Sequence, residues 1–205
     1  PPRSTLFPYT TLFRSNPSTG RMGYALAREA ASRGAEVVLV TGPTELSAPS
    51  GATVERIVTT AEMLAAVQQH FPGCDMAIFA GAPADYRPAK SATSKSPKAD
   101  SLQLNLVPTE DIAAWAGQNR REGHILIAFA AETHDAEKHG FEKMKRKNAD
   151  FVVVNNISRE DIGFASEDNE VVILGKDNSR HLIPKSSKGN IAKAILDHCV
   201  VARQE

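Results

Sequence analysis

Apolar positions along the chain fall into two alternating rhythms. Met22, Ala25, Leu26 and Ala30 recur at helical spacing, and Gly34 follows where a C-cap glycine belongs. Residues 37–40, Val-Val-Leu-Val, then form a continuous run ending at Thr41-Gly42-Pro43. That pattern predicts a strand buried on both faces of a parallel sheet. The cycle repeats: residues 53–58 read as a strand, and Thr59 with Glu62 forms a capping box ahead of Met63, Leu64, Val67 and Phe71. Residues 75–81 make another short apolar strand, which ends in Gly81.

A stretch rich in Pro, Ser, Lys and Ala follows over residues 82–101. Loops of that length inside compact domains are commonly lids, binding loops or disordered segments. Leu102, Leu104 and Leu106 alternate with Gln103 and Asn105, which predicts a half-exposed strand, and a short helix is expected over residues 109–119. The most apolar strand is read at 124–130. The polar turn Glu132-Thr133-His134, a helix to Lys147 and a strand at 151–154 ending in Asn155-Asn156 come next. Residues 171–174 and 181–183 flank the turn 176–179 as a hairpin, and residues 191–201 read as the last helix. Helix and strand alternate throughout. The predicted class is α/β: a three-layer, Rossmann-like fold with a mainly parallel sheet, helices on both faces and a C-terminal β-hairpin. Residues 1–15 carry neither rhythm and are expected to be a non-native or disordered tail, leaving 16–205 as a single domain.

Charge and cysteine content narrow the function classes. The 24 Lys and Arg balance the 24 Asp and Glu, so no overall basic field exists to hold a nucleic acid or an anionic membrane, and neither partner is expected. The apolar run 125–131 is far short of the roughly 20 residues of a membrane helix. Cys74 and Cys199 form no CxxC pair, which argues against a disulfide framework or cysteine-rich zinc site and suits a reducing, cytoplasmic setting.

In an open α/β sheet, ligands bind beyond the C-terminal ends of the strands. The ends here carry Thr41-Gly42-Pro43, Phe79-Ala80-Gly81 leading to Asp85-Tyr86-Arg87, Phe129 to Thr133, and Asn155-Asn156. These groups are expected to converge on one crevice. Ser18, Thr19 and Gly20 open the first helix, so free N–H groups and hydroxyls there could bind phosphate or simply cap the helix. Lys90, Lys95 and Lys98 lie in the long loop, where a mobile ammonium could close over phosphates. Lys143, Lys145, Arg146 and Lys147 end a helix, a position the macrodipole favours for cations anyway. Tyr86 and Lys90 have the YxxxK spacing of a nicotinamide-dependent oxidoreductase, but Pro88 between them disfavours a shared helical face. His134 and His139 miss the i, i+4 spacing of paired zinc ligands.

Six segments in order, NPSTGRMG, VVLVTGP, AGAPADYRP, LVPTEDI, AFAAET and KMKRKNADFVVVNN, resemble the phosphopantothenoylcysteine synthetase family over nearly all of residues 16–203. The resemblance implies a CTP-dependent ligation in coenzyme A biosynthesis. The carboxylate of 4′-phosphopantothenate attacks the α-phosphate of CTP, pyrophosphate leaves, and L-cysteine displaces CMP from the acyl-cytidylate. It further implies Mg²⁺ with CTP as co-substrate, a homodimer, and frequent fusion to a flavin-dependent decarboxylase domain in relatives. Matched by position, Asn16 would handle the acyl-cytidylate and Lys95 would stabilise the reacting phosphate. Phe79, Ala80, Gly81, Asp85, Thr109, Glu110, Asp111, Ile112, Phe129, Lys143 and Lys147 match nucleotide contacts.

Three departures accompany the match. The family's upstream strand is not supplied by residues 1–15, so the sheet is expected to lack its first strand. The lid reads KSPK, with Pro97 in place of a basic residue, and AGAPADYR replaces the more usual AAVADYR. Two other classes remain beside the ligase: a catalytically silent nucleotide-binding module, and an NAD(P)-dependent oxidoreductase.

Overall fold

The computed structural model describes residues 19–90, 103–132, 134–156 and 168–201. The tail 1–15, Asn16, Ser18, Lys95, Lys98, Leu102 and Thr133 therefore lie outside the described residues. In chain order the elements are α1 (Arg21–Ser32), β1 (Val37–Thr41), β2 (Ala52–Arg56), α2 (Thr60–His70), a 3₁₀ turn (Phe71–Gly73), β3 (Met76–Phe79), β4 (Tyr86–Pro88), β5 (Leu106–Pro108), α3 (Ile112–Gln118), β6 (Ile125–Glu132), α4 (Ala136–Lys147), β7 (Phe151–Asn156), β8 (Asp168–Gly175), β9 (Arg180–Ser187) and α5 (Lys188–Val201).

Five strands form the central sheet in the order β3-β6-β7-β8-β9. β3, β6 and β7 run parallel, and the hairpin β8–β9 adds two antiparallel strands beside β7. A second parallel pair, β1–β2, stands apart, and the C-terminal ends of β3, β6 and β7 supply the ligand-binding edge expected of the α/β class. Side chains of β6 alternate between two cores because successive residues face opposite sides of a sheet. Ile125 and Ile127 pack with Leu26 of α1 and with Ile191 and Ile195 of α5. Leu126, Ala128 and Ala130 pack on the other face with Ala116 of α3 and Met144 of α4. Both faces are covered by helices, as the alternation predicts.

Local signals act where the sequence places them. The Thr59 hydroxyl accepts from the Glu62 N–H at 3.1 Å while the Glu62 carboxylate accepts from the Thr59 N–H at 2.9 Å, completing the capping box of α2. The Val58 N–H and the Thr59 N–H, both donating to it, hold the Glu62 carboxyl below its ordinary range. Gly34 adopts φ +84° just past α1. No helix of the described residues is long and apolar enough to cross a membrane.

Three expectations are corrected. β1 is not buried on both faces: Val38 is 38% exposed, and among the described residues β1 pairs with β2 and not with the central sheet. The half-exposed strand predicted from the Leu102, Leu104, Leu106 alternation begins only at Leu106, with Leu104 exposed and outside any strand. Its partner is β4, within the segment predicted to be irregular; pairing of Arg87 with Val107 makes Tyr86–Pro88 a strand despite its proline. Pro88 sits at the end of that short two-stranded ribbon, where a missing N–H is tolerated.

Candidate functional site

The parallel strands β3, β6 and β7 all end at one side of the sheet, and a cavity of about 500 Å³ opens there. Phe79, Ala80, Gly81 and Asp85 line it from the end of β3, and Phe129 and Glu132 from the end of β6. Thr109, Glu110, Asp111 and Ile112 enter from the start of α3, and Lys143, Arg146 and Lys147 from α4. Thr19 and Gly20 approach from the start of α1. Thr19, Gly20, Phe79, Ala80, Gly81, Asp85, Thr109, Glu110, Asp111, Ile112, Phe129, Lys143 and Lys147 thus meet at one cavity, which Lys90 does not line. Thr41, Gly42, Pro43, Tyr86 and Arg87 do not line it, contrary to the expected convergence, because among the described residues β1 pairs with β2 and β4 with β5, outside the central sheet.

Backbone geometry fixes this wall. Thr109 N–H donates to the Asp85 carbonyl at 2.9 Å, and the Thr109 hydroxyl donates to the Ala84 carbonyl, so the loop after β3 is stitched to the segment entering α3. Asp111 then caps α3, its carboxylate accepting from the Ala114 N–H at 3.1 Å. The same carboxylate meets Lys147 Nζ at 2.8 Å. Burial alone would raise the Asp111 carboxyl, but the bonds from Lys147 and Ala114 outweigh it and hold the group below its ordinary range. α3 and α4 can approach this closely only because Gly117 lacks a side chain: a Cβ there would lie 1.9 Å from the Lys147 carbonyl oxygen.

Lys143 lies one turn earlier on α4. Its Nζ stands 3.7 Å from Glu132 Oε1 and donates to the Phe129 carbonyl at 3.4 Å. Burial, with Lys147 and Arg146 adding to it, lowers its basicity against the opposing pull of Glu132. Lys143, Arg146 and Lys147 together give the α4 wall the charge to hold an anion such as a polyphosphate. The macrodipole explained these cations in the sequence; their direction into a shared cavity needed the fold.

Tyr86 lies in β4 and not on a helix with Lys90, so the YxxxK geometry is not formed. His139 pairs with Glu132 at 3.5 Å, and among the described residues no group of three or more His, Cys, Asp or Glu could hold a metal. Sequence reasoning did not single out Arg146, Asn169 and Lys188 as cavity residues. Asn169 and Lys188 carry no motif of their own and reach the cavity only through the β7–β8 pairing and the start of α5.

The family model described as DNA/pantothenate metabolism flavoprotein C-terminal domain matches residues 11–202. The chain belongs to that family. Within it, the "Coenzyme A biosynthesis bifunctional protein CoaBC" of Bacillus subtilis is 37% identical over 186 residues, covering 90% of this chain and 46% of that protein. A "Cysteine/Cysteine sulfinic acid decarboxylase" from an unknown prokaryotic organism is 40% identical over 186 residues, covering 90% of this chain and 52% of that protein. The chain therefore spans about half the length of these curated relatives. Among solved structures, the C-terminal domain of a CoaBC protein superposes with TM-score 0.77 at 33% identity, over 93% of this chain and 86% of that one. Cab2 H337A in complex with phosphopantothenate-cysteine shares the fold, with TM-score 0.69 at 13% identity, over 92% of this chain and 79% of that one. The family found is the one that the six ordered motifs resemble.

Proposed function

We propose that this domain ligates 4′-phosphopantothenate to L-cysteine at the expense of CTP. The observation that carries the reading is the single cavity into which Phe79, Asp85, Asp111, Phe129, Lys143 and Lys147 converge, in a chain whose family includes the CoaBC proteins. In this reading the nucleotide lies along the β3–α3 side, and Lys143, Lys147 and Arg146 neutralise its phosphates. Charge develops on the α-phosphate as the pantothenate carboxylate attacks, and a fixed cation wall stabilises that charge without reorganising. Glu132 keeps the Lys143 ammonium positioned, and Asp111 does the same for Lys147. Asn16 and Lys95 keep their proposed roles at the acyl-cytidylate and the reacting phosphate.

Mg²⁺ fits this chemistry as a hard cation that stays largely hydrated and binds substrate phosphates. Asp85 and Glu110 are cavity carboxylates that could meet the ion, and no dedicated cage exists among the described residues. The ion would enter with the triphosphate and supply charge neutralisation. A homodimer and a cytoplasmic location complete the proposal.

Pyrophosphate release from CTP tests it, measured with Mg²⁺ and 4′-phosphopantothenate, with and without cysteine. The expected result is release that requires phosphopantothenate and turns over, with CMP formation, once cysteine is added. CTP binding with no pyrophosphate under any condition would overturn the ligase reading in favour of a silent nucleotide-binding module.

A further inference from the structure

Asn148, which does not line the cavity, ends α4 with φ +46°, in the left-handed region that glycine enters most easily. It is exposed and belongs to neither core. What it holds is α3: its Nδ2 donates to the Gly117 carbonyl at 2.9 Å. That oxygen lies in the last turn of α3, where a helix leaves carbonyls without an internal partner. Close contact accompanies the bond, since a Cβ on Gly117 would lie 3.1 Å from Asn148 Cβ as well as 1.9 Å from the Lys147 carbonyl oxygen. One residue earlier, Lys147 reaches along α3 to its other end. There its Nζ meets Asp111 Oδ1 at 2.8 Å, and the Lys147 side chain is only 15% exposed. The two helices are thus joined at both ends of α3, by Asn148 on Gly117 and by Lys147 on Asp111. A further tie comes from the sheet. Arg120 Nη1 donates to the Asn148 carbonyl at 2.9 Å and its Nη2 meets Asp150 Oδ2 at 2.6 Å, while the same Asp150 oxygen accepts from the Leu126 N–H at 2.8 Å.

We propose that Asn148 is a positioning residue for the site: its bond to Gly117 fixes the end of α4 on α3 and so sets the Lys147 ammonium beside Asp111 on the cavity wall. The inference rests on reading that wall as the contact of the nucleotide's phosphates. Two simpler accounts compete with it. If asparagine stood here only because the chain must turn left-handed, glycine would serve as well or better. If Arg120 alone tied the helix end to the sheet, the carboxamide would be redundant. Neither explains an amide donor placed on a carbonyl that α3 leaves open. Lys147 needs such support because its side chain is long and flexible, and holding the ammonium at one point costs more entropy when the backbone beneath it also moves. With the backbone fixed and Asp111 at the far end, the ammonium is confined before a phosphate arrives, and less freedom is lost on binding. Lys143 has its own carboxylate, Glu132, which reaches it from β6 and not through α3. The latch therefore acts on Lys147 and leaves Lys143 in place.

The test uses Asn148→Gly and Asn148→Asp in the full chain. Glycine and aspartate both accept the left-handed backbone, and neither can donate to the Gly117 carbonyl, because an ionised carboxylate only accepts. The melting temperature of Asn148→Gly is expected to stay at or above that of the parent. The first readout needs neither nucleotide nor turnover: the Asp111 carboxyl is followed by carbon NMR as pH is lowered. In the parent it lies below its ordinary range, since burial raises it less than the bonds from Lys147 and Ala114 lower it. In both variants its titration is expected to move to higher pH, in the same direction as in a Lys147→Ala control. The second readout is the dissociation constant of CTP with Mg²⁺ by titration calorimetry, expected to rise about threefold to tenfold, the equivalent of one hydrogen bond. An Asp111 titration unchanged in Asn148→Gly would overturn the latch, as would unchanged CTP affinity when the parent binds CTP. A lower melting temperature with both readouts unmoved would reduce Asn148 to a helix cap and overturn it too. Absence of CTP binding to the parent counts against the nucleotide reading, and the Asp111 titration then decides the latch by itself. Should the glycine variant unfold, Asn148→Asp carries both readouts.

Discussion

β1 and β6 are both written as nearly continuous apolar runs, Val-Val-Leu-Val and Ile-Leu-Ile-Ala-Phe-Ala, yet they occupy different environments. Leu126 and Ile127 of β6 are 0% exposed, whereas Val38 of β1 is 38% exposed. β6 lies between β3 and β7, with α1 and α5 on one face and α3 and α4 on the other. β1 has β2 as its partner, and among the described residues neither β1 nor β3 is paired along its other edge. The difference shows that an apolar run specifies a strand that can be buried. How far it is buried depends on which neighbours arrive.

The largest test of this contrast is a matched truncation. Leu126→Ala is expected to cost about 3–5 kcal/mol, the upper part of the range for a fully enclosed leucine, because the rigid surroundings cannot collapse into the space. Leu39→Ala on half-buried β1 is expected to cost less than half as much. Denaturant unfolding of the two variants measures this directly, and equal costs would break the comparison.

A smaller effect comes from adding volume. A Cβ on Gly140 of α4 would lie 2.7 Å from both Leu174 Cδ1 and Val154 Cγ2, so Gly140→Ala should destabilise by about 1–3 kcal/mol through overpacking. Gly42, at the end of β1, has nothing within 4 Å of the equivalent position, and Gly42→Ala should stay within about 0.5 kcal/mol of the parent. A costly Gly42→Ala would mean that the β1 side is tighter than its exposure indicates.

The smallest effect is a pH dependence confined to the packed side. His124 is 3% exposed, and its ring meets Phe71 edge-on at a centroid distance of 4.7 Å. Burial, reinforced by Arg121 and Arg120, pushes its basicity below the ordinary histidine value. The folded state therefore binds a proton less readily than the unfolded state. Stability is present above the unfolded histidine pKa and is lost as pH falls from there through the depressed folded value. The slope from one such group is at most about 1.4 kcal/mol per pH unit. Thermal melts between pH 7.5 and 5 should show it in the parent and a flatter profile in His124→Gln; identical profiles would remove His124 as the cause.

Much of the architecture was legible because its signals are local. The Thr59 and Glu62 capping box, the C-terminal Gly34 of α1, the apolar strands β3, β6 and β7 and the turn before Arg180 each depend on a few adjacent residues. β4 was not legible, because Tyr86–Pro88 becomes a strand only by pairing with Leu106–Pro108, and a proline-containing segment carries no strand rhythm of its own. The site divides in the same way. Phe79 to Asp85, Thr109 to Ile112, Phe129, Lys143 and Lys147 were marked by ordered motifs, and the fold places them around one cavity. Asn169 and Lys188 had no such mark.

By itself, then, the sequence determined the alternation of helix and strand, the positions of the caps and the residues at the ends of the strands, since propensity, capping and periodicity act over a few neighbours. Only the tertiary structure decided that β1 would be half-buried, that Gly117 would let Lys147 reach Asp111, and that Asn169 and Lys188 would come to line the same cavity as Lys143. Burial, ion pairing and hydrogen-bond satisfaction depend on groups far apart in the chain, and those meet only when the sheet and its helix layers are assembled.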